Sequence, residues 1–575
     1  MTSQAQFSRQ TRETPKPRFQ PARIFHTPAG RFINTVASAR CKKAPGTLQP
    51  FQRFGWERPD ASRFSRLRRA GHARTPARPQ NRVASLVFLW GCLLGASGFL
   101  GGCNLAPKYQ PPAVQTPDAF KELPPPSPEA TNLWKIAQPS DALIRGNWWE
   151  MFTNTQLNAL EAQVAVSNQN VAAAFANFLS ARAIVKEARA QLFPTLTANP
   201  AVTRQREQIL GSTNHSATTL TAYSLPLEAS WQPDFWGQVR NTVRADSLEA
   251  QATASDVQNT RLTAQAELAM DFFQLRSQDS LIRLYADTVK AYREALDLTR
   301  VRFQKGVGIA SEQDVAQAET QLETTEAQAI NLAILRAQLE HAIAVLIGRP
   351  PAGLSIPMEP LSNSPPAPPL GVPSRLLERR PDIAAAERRV AEANARIGIA
   401  KAAYYPNVTL SASGGFESAA TSSLLNWSSR VWSVGSGLAQ SVFDAGLRRA
   451  TVQQFRAAYD NTVATYRQTV LTAFQQVEDD LVSLKTLARQ IEQQEAAVKA
   501  SERYLNLATV RYKTGVDSYL NVITAQTTLL VNRQTLVTLR SQEMTANVQL
   551  VQAVGGGWDV SQIPSPKQVL SKTTR

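Results

Sequence analysis

Two stretches of the 575-residue chain, 238–305 and 447–514, each run for 68 residues without a glycine or a proline. Both are rich in Ala, Gln, Arg, Leu and Glu, residues that lose little freedom in a helix. At about 1.5 Å per residue, each predicts a helix roughly 100 Å long. A globular domain has no need of such a rod, because its helices average about 11–12 residues. An elongated helical body is the first expectation.

The rods carry a regular apolar line. In the first, steps of four and three residues pick out Leu268, Phe272, Leu275, Ile282, Ala286, Val289, Leu296 and Phe303. Displaced by 209 residues, the same steps pick out Val477, Leu481, Leu484, Ala488, Ile491, Val498, Leu505 and Tyr512. Such spacing predicts coiled-coil-like packing in one register.

Other landmarks recur in the same order. Arg302-Phe303-Gln304-Lys305-Gly306-Val307 returns as Arg511-Tyr512-Lys513-Thr514-Gly515-Val516. Leu192-Phe193-Pro194 returns as Tyr404-Tyr405-Pro406, at an offset of 212, and Asp234-Phe235-Trp236-Gly237 as the shorter Asp444-Ala445-Gly446. The chain is therefore read as a duplicated unit, with copies at 151–348 and 374–558. A Pro-rich linker at 349–373 separates them, and Pro350 to Pro373 holds nine prolines. Each copy predicts an opening helix (about 155–192 and 380–404) and then the long helix. After a glycine turn at Gly306 or Gly515, a returning helix follows (311–347 and about 518–553). Glycine suits those turns because a left-handed helix C-cap costs it least. The two shorter helices are expected end to end beside the long one. Every helix is read as polar on one side, so none is expected to cross a membrane.

Between opening and long helices the period changes to two. Residues 407–416 alternate Val408, Leu410, Ala412, Gly414 and Phe416 with small polar residues. Residues 430–443 alternate Trp432, Val434, Leu438 and Val442 with Ser and Gly, and 221–231 alternate Tyr223, Leu225, Leu227, Ala229 and Trp231. A weaker strand is expected at 196–207. Lengths near ten with one apolar side match outer-membrane barrel strands. Four strands cannot close a barrel, which needs about eight, and an open edge is not viable in lipid. An obligate oligomer follows.

The amino terminus reads as an export leader. Residues 1–82 form a basic, disordered extension, carrying 18 Lys/Arg against Glu13, Glu57 and Asp60. It is either a start placed too far upstream or a long n-region, followed by a signal peptide at 83–102. Val83 to Leu100 holds no charge. Leu100-Gly101-Gly102-Cys103 looks like a lipobox, in which Cys103 takes the acyl chains. The extended segment 103–150 would then be lipid-anchored, and Asn104 in place of Asp favours the outer membrane. Of the formal charge of +17, the leader holds +15 (18 bases less three acids); the remaining 44 basic and 42 acidic residues nearly cancel. A basic nucleic-acid-binding core is thereby disfavoured. Three cysteines and scattered histidines give no metal cluster or disulfide framework. No catalytic constellation is evident, so neither an enzyme nor a cofactor is expected. A C-terminal tail covers 559–575.

In this order the features resemble the outer-membrane efflux protein (TolC-like outer membrane factor) family, in the NodT-type lipoprotein branch of RND efflux systems. The resemblance covers about residues 103–560. It rests on the lipobox, Pro107-Lys108-Tyr109-Gln110-Pro111-Pro112 and Asn147-Trp148-Trp149-Glu150-Met151-Phe152. It extends through Leu192-Phe193-Pro194, Leu376-Leu377-Glu378-Arg379-Arg380-Pro381-Asp382-Ile383, the paired glycine turns and Gly555-Gly556-Gly557-Trp558.

It implies a mainly α fold with a small β part, trimerising into a 12-stranded outer-membrane β-barrel and a periplasmic α-helical tunnel. The partners implied are a periplasmic adaptor (membrane fusion) protein and an inner-membrane pump of RND type. The function implied is a passive exit duct for small molecules and drugs. Arg302, Gly306, Arg511 and Gly515 would lie where the adaptor docks. In the family, the helix after the second turn often carries inward Asp residues that form a constriction ring. The matching positions here are Asn521 and Thr524, so a gate held by packing and neutral hydrogen bonds is expected. Asp517 and Asp314 lie close enough to substitute, but read first as solvated or capping acids. Other readings are an exit duct for type I protein secretion or metal efflux, and a lipid-anchored coiled-coil surface or scaffold protein. The last leaves the duplicated strand pairs unexplained.

Overall fold

The computed structural model describes residues 104–117, 119–122, 146–208, 217–307, 310–361 and 376–571. The leader, Cys103 and most of the Pro-rich linker lie outside them. The first copy opens with a 3-10 turn, Trp148–Phe152, then α1 (Thr155–Ser167) and α2 (Gln169–Ala190). Strands β1 (Thr195–Ala198), β2 (Ala201–Gln208) and β3 (Ala217–Trp231) follow. Next come α3 (Gln238–Gln304), 67 residues long, and α4 (Glu312–Leu346), 35 residues long. The second copy has α5 (Pro381–Ala402), β4 (Asn407–Ser418) and β5 (Arg430–Ala439). It continues with α6 (Leu447–Lys513), again 67 residues, and α7 (Tyr519–Ala553), again 35. A short helix, α8 (Pro566–Leu570), packs back on α2 and α3. Equal lengths of the paired helices bear out the duplication.

The shorter helices meet end to end, as expected, but the joint in the first copy differs from the expectation of one helix over 155–192. The helix breaks at Asn168. Its Oδ1 accepts from the backbone N–H groups of Asn170 and Val171, starting a new helix, while Nδ2 donates to Leu346 O at the end of α4. In the second copy Arg380 makes the joint. It donates to Ala553 O, at the end of α7, and to Gln476, and pairs with Asp382. Buried carbonyls at helix ends must find donors, and these two side chains supply them.

The apolar line follows the expected seam only in part. Leu268, Phe272, Leu275 and Leu296 are buried, as are Val477, Leu481, Leu484, Val498 and Tyr512. Ala286 and Phe303 are exposed; the buried line passes instead through Leu281, Tyr285, Tyr292, Leu296 and Thr299. The register shifts along the helix, a change that an unbroken heptad count cannot anticipate. It coincides with buried Asp279, which accepts from Arg276 and Arg336 at 2.9 and 2.7 Å. Arg276 and Arg336 also donate to Pro357 O and Ile356 O, fastening the start of the linker to the helices.

One helix is more apolar than the reading of every helix as polar on one side implies. By length and composition, α4 is apolar enough to cross a membrane. It packs along α3, yet Ile330, Ile334, Leu335 and Val345 remain exposed. The apolar residues of this helix therefore exceed what its own chain covers.

The strands form one antiparallel sheet in the order β1–β3–β4–β5, with β2 also on β3. β1 and β2 lie in tandem on one edge of β3, from Thr195↔Ser230 to Gln208↔Ala217, and part at Asn199 and Pro200. Proline has no N–H for the ladder, so the break falls there, and the sheet stays four strands wide. β3 and β4 join the two copies, from Tyr223↔Ser418 to Trp231↔Leu410. β5 stops at Ala439 rather than 443, where Gln440 donates to Tyr404 O and turns the chain toward α6.

Gly555 tests the second joint. Its φ is +99°, and an added Cβ would overlap Arg379 O. Gly555→Ala should cost roughly 1–3 kcal/mol or more and lower the melting temperature of the purified protein. Unchanged melting would show that the joint yields freely.

Candidate functional site

The two glycine turns lie side by side at the end of the helices farthest from the sheet. Each is built alike. Gly306 N–H bonds to Phe303 O and Val307 N–H to Arg302 O; Gly515 N–H bonds to Tyr512 O and Val516 N–H to Arg511 O. With φ of +60° and +78°, both are left-handed Schellman caps, as the sequence predicts. Open space surrounds a Cβ at either position, so backbone conformation, not crowding, selects glycine there.

The two arginines of the repeat are used differently. Arg302 reaches across to the second copy, where its Nη1 and Nη2 donate to Tyr512 O and Lys513 O at 3.0 and 3.1 Å. Its guanidinium also lies 4.9 Å from the Tyr512 ring centroid. It thus caps the negative end of α6. Arg511 instead turns onto Asp517 at 3.0 Å. Asp517 also accepts from Asn521 Nδ2 at 2.7 Å. The hydrogen bond from Arg511, with that from Asn521, holds the Asp517 carboxyl below the usual carboxylate range.

Of the expected gate residues, the structure thus brings Asp517 and Asn521 together. Thr524 stays apart and exposed, with its hydroxyl donating to Leu520 O. Asp314 is a capping acid, as expected, in a reciprocal box with Ser311 at the start of α4. Asp517 is not; it belongs to an ion pair.

Beneath the turns lies a cluster that sequence reasoning did not single out. The Tyr512 and Tyr519 rings approach to 5.1 Å, and Thr299 meets the Tyr512 hydroxyl at 3.4 Å. Burial, aided by the neighbouring tyrosines, pushes the Tyr519 hydroxyl up to about 12. A signal was present: Tyr512 stands where the first copy has Phe303. Tyr512 is buried and Phe303 exposed.

The other end of the chain is the open sheet. β5 is exposed along its whole length, and neither β5 nor the β1/β2 edge has a second partner among the described strands. Trp231 Nε1 donates to Leu192 O, and Trp236 Nε1 to Pro406 O, fixing the sheet to the helices.

A strand sheet with two open edges, carried on paired long hairpins with a locked tip, defines a subunit of an outer-membrane duct. The chain belongs to the outer membrane efflux protein family, whose model matches residues 160–349 and 372–556, one segment in each copy. It is 32% identical over 463 residues to the antibiotic efflux pump outer membrane protein ArpC of Pseudomonas putida, covering 80% of this chain and 93% of that one. It is 31% identical over 480 residues to the pyoverdine export outer membrane protein OpmQ of Pseudomonas aeruginosa, covering 81% and 96%. Among solved structures it resembles the outer-membrane channel OprN at 26% identity and a TM-score of 0.72, covering 79% of this chain and 100% of that one. The protein is an outer-membrane channel of an efflux system.

The lowered Asp517 fixes the sign of a pH effect. A depressed carboxyl contributes fully above its ordinary range and is lost as pH falls through the depressed value. Conductance of the purified channel should stay constant from about pH 8 to about pH 5 and rise only below about pH 4. Asp517→Asn should abolish the acid limb. A wild-type channel that opened near neutrality would show that the Arg511–Asp517 pair does not hold it closed.

Proposed function

We propose that three copies close a barrel of about twelve strands and stack their helices into a periplasmic tunnel, ending at the paired turns. The observation that carries this is the sheet. β1/β2 runs away from the helices and β5 runs back toward them, so one copy's free edge can pair antiparallel with the next copy's. The uncovered apolar residues of α4 would find their cover in the same assembly.

The duct passes solutes and does no work on them. A periplasmic adaptor docks at the tip around Arg302, Gly306, Arg511 and Gly515, and an inner-membrane pump of RND type supplies the energy. Small organic molecules, drugs among them, are the cargo. ArpC and OpmQ, named for antibiotics and for pyoverdine, are nearly equally similar to this chain, which fits a conduit whose pump selects. The gate is the Arg511–Asp517–Asn521 latch with the Arg302 clamp, and no ring of free carboxylates at 521 and 524.

Cys103 is the proposed acyl anchor in the outer membrane. Three residues on, Ala106 packs on Gly398, where an added Cβ would lie 2.8 Å from Ala106 Cα. Pro107 O accepts from Asn394. Gly398 sits near the end of α5, shortly before β4 begins, so the segment starts beside the helix–sheet joint. An acyl chain there would reach the inner leaflet.

Gly515→Trp should sensitise a deletion strain to drugs as fully as loss of the gene, while heat-sensitive trimers persist on gels. Unchanged drug tolerance would remove the tip from docking. Tight divalent block of the reconstituted channel that disappears in Asn521→Ala or Thr524→Ala would refute a gate without a carboxylate ring. Cys103→Ala should abolish palmitate incorporation; continued labelling would refute the anchor.

A further inference from the structure

Directly paired residues of an antiparallel sheet share a face, so the register sorts the charges of this one. Arg204 pairs with Thr221, Arg206 with Thr219 and Arg430 with Phe416. All three arginines therefore stand on the face of Tyr223, Leu225, Leu227, Trp231, Trp432 and Val434, the apolar side. Glu228 and Glu417 pair with Ser413 and Ser224 and stand on the opposite, small and polar side. Bases lie on the lipid face and these acids on the lumen face.

The arginines are also confined to one end. Chain entry to and exit from the helices occurs at Thr195, Trp231, Asn407 and Ala439, whereas Arg430 opens β5 and Arg204 and Arg206 lie toward the end of β2. From Trp231 to Tyr223 the apolar side runs about 27 Å along the strand at 3.4 Å per residue, or roughly 20 Å in height at the ~40° tilt of barrel strands, most of the ~25 Å lipid band. Arg430 is level with Leu225, at the far margin of that band. Arg204 and Arg206 lie roughly 7 and 14 Å beyond Tyr223 by the same measure. All three are exposed. The Arg430 guanidinium stacks 3.9 Å from the Trp427 ring centroid, and Trp427 is 75% exposed, the setting of an interfacial aromatic. β5 and β2 are the two free edges. In the trimer, one copy's Arg430 and the next copy's Arg204 and Arg206 thus flank the closing seam.

We infer that this external arginine ladder binds the phosphate groups of phosphorylated glycolipid in the outer leaflet of the outer membrane. A guanidinium presents two parallel donors that match a phosphate. A ladder extending from the apolar margin outward spans a headgroup layer, whereas a single arginine would reach only one depth. The inference rests on the barrel reading above, because the outward end is defined by the helices being periplasmic.

The test uses the full-length trimer in neutral detergent with lipid A as the probe, read by native mass spectrometry. Arg204→Gln, Arg206→Gln and Arg430→Gln should each weaken binding roughly fivefold, and the combined variant about a hundredfold. Dephosphorylated lipid A should bind wild type as weakly as intact lipid A binds the triple variant. Lysine at the three positions should restore much of the affinity. Equal binding of lipid A by wild type and triple variant, or equal binding of both lipids by wild type, would overturn the inference. Displacement of lipid A by millimolar inorganic phosphate would also overturn it, making the ladder a site for the free ion. Pore formation and trimer migration are followed on the same samples. A wild-type protein that neither trimerises nor conducts would refute the barrel reading itself, whereas conducting trimers indifferent to lipid phosphate would refute only the ladder.

Discussion

A backbone N–H or C=O left unpaired in hydrocarbon costs several kcal/mol, because lipid offers it no partner. The sheet of this protein carries two such rows, one on β5 and one along β1 and β2. Much of the architecture is arranged around that demand. The edges run in opposite directions, the outer side is apolar, and the strands are pinned to the helices by Trp231 and Trp236. A single chain is therefore an unfinished object, and membrane insertion and assembly become one event. The exposed apolar residues of α4 repeat the same logic in water, where covering them is driven by the hydrophobic effect.

Duplication supplies the material, and departures from it supply the mechanism. The helices of the two copies match in length, and the turns share one capping motif. Yet Arg302 spans the two copies while Arg511 stays within its own, and Tyr512 is buried where Phe303 is exposed. A perfectly repeated tip would have two equivalent turns. Arg302 thus holds the α6 terminus, and Arg511 holds Asp517 just beyond the turn that follows it.

The long helices, the turns and the alternating strands were legible because each rests on local chemistry: absence of Gly and Pro, a left-handed cap, a period of two. The helix break at Asn168 was not, although an Asn at that point is a good N-cap. Its cause is a partner, Leu346 O, that lies 178 residues away. The shift of the apolar seam was hidden for the same reason, since Asp279 is tolerated in the core through the distant Arg336 and the Glu359 N–H as well as the nearby Arg276. Among the residues after the second turn, Asp517 and Asn521 were named from sequence, but that Arg511 engages Asp517 was not, because charge partners at a turn depend on how the helix ends splay. Thr524 was placed with them by family analogy and stands apart.

The joints at Asn168 and Arg380 have a mechanical meaning. Each interrupts a stacked pair of shorter helices, while α3 and α6 run past without a break. The body is built like a scarfed timber, in which every seam is splinted by an unbroken neighbour. Such a rod resists bending at any one level but can shear along its length. Torsion applied at the tip is then carried by α3 and α6 as whole struts toward the sheet, and none of it can be absorbed by a hinge at mid-height.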